Sequence, residues 1–429
     1  MNLTDSAGRP IVLGARLAKG GQGEVYAVKQ PAGRVFKRIF EQVLAKDPRL
    51  KPRLALMVGN RPALWREARS GHMVLSWPLD IVLEDGRFVG FLMPLIDIAR
   101  TVELHVIANP SSRREPSQSH GWTMGFSWRY LVATAANLAV ATESLHETGV
   151  VVGDFNERNI RVWSDARVTL LDCDSMQIGD SVRREWYLCS VGRPEFTAPE
   201  LLGADWRTTV RATSSDLFAL AVHMHQLLLE GAHPFDGIWT APSEKPRRHT
   251  LARDGRWVYG GDSRLKPRPA AIGLEILPPR VVALFQRAFV EGALNPRLRP
   301  RAGEWHDELQ RLQGELRQCS RDKLHYYRTG LPSCPWCAHA ASRRTQSPLP
   351  PAPIVPAAQP PPPVIVNFPK AAPQPLPSAP TSTSYAAAAT PALVSTATAP
   401  VPRPAPTSRP SPPGAAPKAP PPMRSSPAS

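Results

Sequence analysis

Cysteine is scarce in this chain, with five in 429 residues. The odd count, with Cys319, Cys334 and Cys337 bunched near one another, argues against a disulfide framework and for a metal site in a reducing compartment. Long apolar runs are missing as well. No stretch reaches the roughly 18 apolar residues of a membrane helix, and the alanines at 386–389 are too few to span a bilayer. Met1–Pro10 shows neither the basic nor the apolar region of a secretory leader. The expectation is a cytoplasmic protein with no membrane span.

Acidic residues stop at Asp322, while Arg343, Arg344, Lys370, Arg403, Arg409, Lys418 and Arg424 follow, contributing to a net charge of +16. These cations are scattered, whereas nucleic acid or an anionic membrane calls for a dense run; no nucleic-acid partner is expected. From about residue 345 the chain is Pro, Ala, Ser and Thr, with more than half of its 49 prolines. Such a composition buries too little apolar surface to offset chain entropy, so 341–429 reads as a disordered tail. Its Pro-Pro-Pro stretches at 360–363 and 420–422 are a spacer or a dock for proline-motif readers.

What is present upstream is ordered by pattern. Ile11–Leu17, Gly23–Gln30 and Arg34–Phe40 read as strands around Gly and Pro-Ala-Gly turns. Ile81–Leu83 and Phe88–Met93 read as a hairpin closed by an Asp-Gly turn. Apolar residues at three- and four-residue intervals then predict helices over Trp128–His146, Ser215–Leu229 and Pro279–Phe289, with an amphipathic one over Trp305–Cys319. Strands first and helices after suggest an α+β, two-lobed arrangement. No internal repeat is visible.

Three motifs carry chemistry. Ala18-Lys19-Gly20-Gly21-Gln22-Gly23-Glu24-Val25 sits between two predicted strands, and glycines there let backbone N–H groups approach phosphates; a plain hairpin is the bland alternative. The next strand holds Lys37, preferred over Lys29 because Lys29 is still on the strand leaving the loop. The most specific signal is Asp154 and Asn159, five residues apart, with Asp172 thirteen further on in Leu171-Asp172-Cys173-Asp174. Phosphoryl transfer needs hard oxygen ligands for Mg²⁺, such as Asn159 and Asp172, and a carboxylate such as Asp154 to orient a hydroxyl and take its proton. Last, Cys319, His325, Cys334 and Cys337 have the residue types of a tetrahedral zinc knuckle, with His339 competing for the histidine place. A module that small would take its stability from the metal.

These spacings, together with Ala198-Pro199-Glu200, Asp216 and Arg299, resemble a bacterial eukaryotic-type Ser/Thr protein kinase over roughly residues 11 to 310. The resemblance implies a bilobal kinase-like fold at 8–312, with an N-lobe to 95 and a helical C-lobe after it. A zinc-knuckle module would follow at 313–340, as in related bacterial kinases with a Cys…His…Cys-Pro-x-Cys ending. It implies ATP with Mg²⁺ or Mn²⁺, a nucleotide cleft of Gly20, Gly21, Gly23, Val25, Lys37, Met93 (gatekeeper) and Leu95 (hinge), and catalysis by Asp154 with Lys37. Metal would lie on Asn159 and Asp172, and Glu200, Arg299 and Asp216 would brace the lower lobe. Implied partners are protein substrates and a PP2C-like phosphatase, with autophosphorylation at tail positions such as Thr381, Ser382, Ser411 and Ser425.

The chain departs from the family pattern in several places. Val152-Gly153 replaces the His-Arg before the catalytic Asp, Asn156 the following Lys, Asp174 the DFG glycine and Arg193 a Thr. No acid in Leu50–Val58 is placed to pair with Lys37; Glu41, Asp47 and Glu67 are the remaining candidates. The competing function is therefore a pseudokinase acting as a nucleotide-binding scaffold.

Overall fold

The computed structural model describes residues 2–269, 271–346 and 359–368, all within one compact unit. Its first part is an antiparallel six-stranded sheet in the order Leu3–Asp5, Asp80–Glu84, Arg87–Pro94, Arg34–Ile39, Gly23–Gln30, Val12–Lys19. The predicted strands are therefore present with ends shifted by a residue or two, and Leu3–Asp5 adds an edge strand ahead of the boundary set at residue 8. Helix Leu50–Gly59 packs under this sheet through Leu54 and Met57, both fully buried.

The rest is mainly helical. Helix Trp128–His146 is alanine-rich and apolar on nearly all sides, so it sits at the centre. Helices Thr213–Leu228 and Ala302–Gly314 pack on it. Gly149 takes a φ of +72° just past its end, and the Val150 N–H turns back to Leu145 O. That reversal feeds the chain straight into the loop that carries Asp154 and Asn159. Helix Pro279–Gln286 is continued by a wider turn over Arg287–Glu291.

Two expectations are corrected. The helix predicted over Trp305–Cys319 stops at Gly314, because Leu316–Gln318 instead pairs as a strand with Tyr326–Arg328. The stretch 341–429 is not uniformly without structure. Helix Pro335–Gln346 crosses its start, and residues 359–368 lie extended on the helical lobe with Val366 buried. Pro-free Val364-Ile365-Val366-Asn367-Phe368 supplies the apolar surface that its surroundings lack. Thr381, Ser382, Ser411, Ser425 and the prolines at 420–422 lie outside the described residues. Among the described residues, no helix is long and apolar enough to cross a membrane.

Candidate active site

The hairpin Ile160–Val162 and Val168–Leu170 positions the central residues, since Asn159 precedes its first strand and Asp172 follows its second. The Leu171 N–H donates to Asn159 O at 2.8 Å, tying the two loops together. Asn159 Nδ2 donates to Asp154 O at 3.1 Å and lies 3.5 Å from Asp154 Oδ2. Asp154 Oδ1 is buried without a hydrogen-bond partner among the described residues. The loop backbone is held from behind: Val152 N–H and Gly153 N–H donate to the two carboxylate oxygens of Asp216 at 2.7 and 3.0 Å. His146 Nε2 lies 3.1 Å from Asp216 Oδ2.

Lys37 faces this cluster from the sheet, directly opposite Val25 across the strand pair. Lys29 is exposed near the end of its strand. The Lys37 ammonium meets Asp174 Oδ2 at 2.7 Å, with 14% and 11% of the two side chains exposed. Asp174 is thus the acid that helix Leu50–Gly59 does not supply; that helix instead presents Arg53, whose guanidinium donates to Met176 O. Burial works against the Lys37 charge, but the Asp174 carboxylate, with Asp172 adding, holds its pKa above the usual lysine range. Burial raises the Asp172 carboxyl, Asp174 and Asp154 push it further, and Lys37 opposes them. Clustered hard oxygens with excess negative charge suit a divalent cation, so Asn159 and Asp172 fit the predicted metal.

The glycines divide into two kinds. A Cβ on Gly23 would lie 2.1 Å from Arg38 O, so its smallness serves strand contact, whereas Gly20 and Gly21 face open space. Met93 is half-buried near the end of strand Arg87–Pro94, its sulfur 3.5 Å from Ser76 Oγ. Leu95 is exposed, and its N–H is taken by Gly33 O at 3.1 Å, leaving its side chain and carbonyl for a ligand. Further down, Arg299 is buried and makes a forked pair with Glu200 at 2.6 and 2.7 Å while donating to Ser214 O.

The departures have local causes. Gly153 has a φ of +74°, and a Cβ there would lie 2.7 Å from Cys189 and 2.9 Å from an Arg211 nitrogen. The cation beside this loop therefore comes from Arg211, stacked 4.7 Å over Trp206. Asn156 is buried and caps its own turn by accepting from Arg158 N–H. Arg193 lies 3.7 Å from Glu157.

Beyond the lobes, Cys319, His325, Cys334 and Cys337 converge, their ligand atoms all within 4.8 Å of one another. A tetrahedral zinc with Zn–S of about 2.3 Å spaces thiolates about 3.8 Å apart. Cys319 Sγ and Cys337 Sγ are 3.7 Å apart, and His325 Nδ1 lies 3.4 Å from Cys337 Sγ. His325 Nε2 faces Asp322 at 3.5 Å, as second partners of metal-binding histidines do. The cluster takes His325 and not His339. Trp336 packs on Trp128 with ring centroids 5.6 Å apart, fixing the module to the central helix.

No family model matches the chain. Two curated Escherichia coli proteins, both named protein kinase YegI, are similar to it. The one from strain K12 is 33% identical over 341 residues, 78% of this chain and 49% of that protein. The other, from O157:H7, is 33% identical over 344 residues, 78% of this chain and 50% of its own length. The chain is a homologue of these kinases. It spans about half the length of the curated relatives it matches.

Proposed function

We propose that this chain is an ATP-dependent protein kinase that transfers the γ-phosphate to Ser/Thr hydroxyls of proteins, itself included, in bacterial signalling. The observation that carries the reading is the convergence of Asp154, Asn159 and Asp172 opposite a half-buried, acid-paired Lys37. In this reading the Asp154 carboxylate accepts the hydrogen bond of the incoming hydroxyl and takes its proton as the new bond from that oxygen to the γ-phosphorus forms and the γ-phosphorus–oxygen bond to the departing ADP breaks. Lys37, oriented by Asp174, holds the nucleotide phosphates. Asn159 and Asp172 hold Mg²⁺ or Mn²⁺, which when bound neutralises charge on the phosphate oxygens. Gly20, Gly21, Gly23, Val25, Met93 and Leu95 line the nucleotide side. Asp216, Glu200 and Arg299 keep the lower lobe in shape. The Cys₃His cluster takes a structural zinc, since protein atoms occupy all four positions. A PP2C-like phosphatase would reverse the modification, and the proline-rich tail is available to proline-motif readers. A cytoplasmic location fits these chemistries.

The test is incubation of the purified chain with ATP and Mg²⁺ or Mn²⁺, alone and with a generic protein substrate, followed by phosphosite mapping. Phosphoserine or phosphothreonine that vanishes in Asp172→Asn is the expected result. One observation favours a nucleotide-binding scaffold instead: Asn156 is used up in its own turn, so no side chain there reaches for the γ-phosphate. Nucleotide binding without transfer under any metal would decide for that second reading.

A further inference from the structure

Asn137 lies in the middle of helix Trp128–His146 and is 1% exposed. An amide buried in an apolar helix is costly unless its donors and acceptor are met. Here one partner comes from the catalytic hairpin and two from the distal tail. Asn137 Nδ2 donates to Ala166 O at 2.9 Å and to Val364 O at 2.7 Å. Its Oδ1 accepts from Val366 N–H at 2.7 Å. The amide thus reads two backbone groups, two residues apart, on an extended strand.

The rest of the contact fits a strand-reading groove. Tyr130 Oη donates to Pro360 O at 3.1 Å, and Val364 N–H donates to Asp165 O at 2.9 Å. Tyr130 and Asn137 are two helical turns apart, about 10 Å along one face. The carbonyls they bind are four residues apart, about 12 Å of extended chain, so peptide and helix run in register. Pro361, Pro362 and Pro363 have no N–H to satisfy, and of the N–H groups that follow, those of Val364 and Val366 are both used. Val366 is 3% exposed, and Ile365 and Phe368 pack partly buried beside it.

We propose that this face of the helical lobe is a peptide-docking site that recognises an extended apolar strand through Asn137. Its occupant is the chain's own segment 359–368. Because the same Nδ2 also holds Ala166 in the turn of the hairpin that carries Asn159 and Asp172, occupancy of the groove braces that hairpin. The inference stands on these contacts and not on the kinase reading.

The test uses the full chain, amide hydrogen exchange, and a fluorescent copy of residues 359–368. In the wild type, the Val364 and Val366 amides should exchange roughly tenfold or more slowly than in the free peptide, at every protein concentration. Val366→Asp should lose this protection and speed exchange at Trp163 and Ala166, while helix Trp128–His146 stays slow. The peptide, supplied at up to millimolar concentration, should bind the Val366→Asp chain and not the wild type. Val364→Pro, which removes the donor to Asp165 together with the Val364 amide, is read at Val366, Trp163 and Ala166 and by peptide binding, with the same expected changes, should Val366→Asp not fold. An unprotected segment in the wild type, no peptide binding to the vacated chain, or equal binding to both chains would overturn the proposal. Protection that fades on dilution would do so too, by assigning the groove to a second copy's segment.

Discussion

The Asp154–Asp172 loops and the Gly20–Gly23 turn face the same cleft but are held in different ways. The loops are fixed by buried bonds from Asp216, from Asn159 and from the hairpin behind them. The turn is closed by the Gly20 N–H to Gly23 O bond and tied to the sheet by Phe40 N–H donating to Gln22 O, with Gly20, Gly21 and Gln22 exposed. One side of the site is held by bonds within the protein, and the other leaves open space around Gly20 and Gly21. Rigid placement belongs where protons and metal must be aligned, and open glycines where phosphates must be approached.

Replacing Asp216 with Ala strips the acceptor from two buried N–H groups and should give the largest structural effect. A loss of about 3 kcal/mol in denaturant unfolding is expected, with transfer activity falling alongside it. Asp174→Asn should keep the fold but release the Lys37 ammonium. Steady-state kinetics should then show kcat/KM for ATP lower by about a hundredfold, with partial recovery in Asp174→Glu. Removing zinc with a strong chelator should free about one ion per chain. It should also lower the melting temperature, because Trp336 would lose its grip on Trp128. The smallest effects sharpen the contrast between loops and turn. Gly23→Ala should cost about 1–3 kcal/mol through collision with Arg38 O, while Gly20→Ala should leave stability unchanged and move only the KM for ATP.

Acid sensitivity follows from a different region. Burial lowers the pKa values of His223 and His225 to about 4 and that of His233 to about 3. Between their unfolded pKa, about 6.5, and these values, the unfolded chain binds more protons, so stability rises with pH there. Unfolding curves should show full stability from these groups above pH 7 and progressive loss towards pH 4. His223→Gln should flatten that slope.

The loops that hold Asp154, Asn159 and Asp172 were legible in the sequence because their spacing is local: a hairpin of fixed length separates Asn159 from Asp172. The position of Lys37 opposite these loops was legible because its strand differs from that of Lys29. The partner of that lysine was not, since Asp174 lies 137 residues away and no spacing rule links a strand to a loop of the other lobe. Arg211 beside Gly153 was hidden for the same reason. Residues 359–368 were masked by their proline-rich surroundings, although the Pro-free Val-Ile-Val-Asn-Phe run was a usable signal.

Phosphate transfer from ATP by the wild type beside Asp154→Ala, with melting temperatures measured on the same samples, tests the central claim most directly. The account predicts transfer in the wild type, a fall of about a thousandfold or more in the variant, and nearly equal melting temperatures. Equal transfer by both proteins would contradict it.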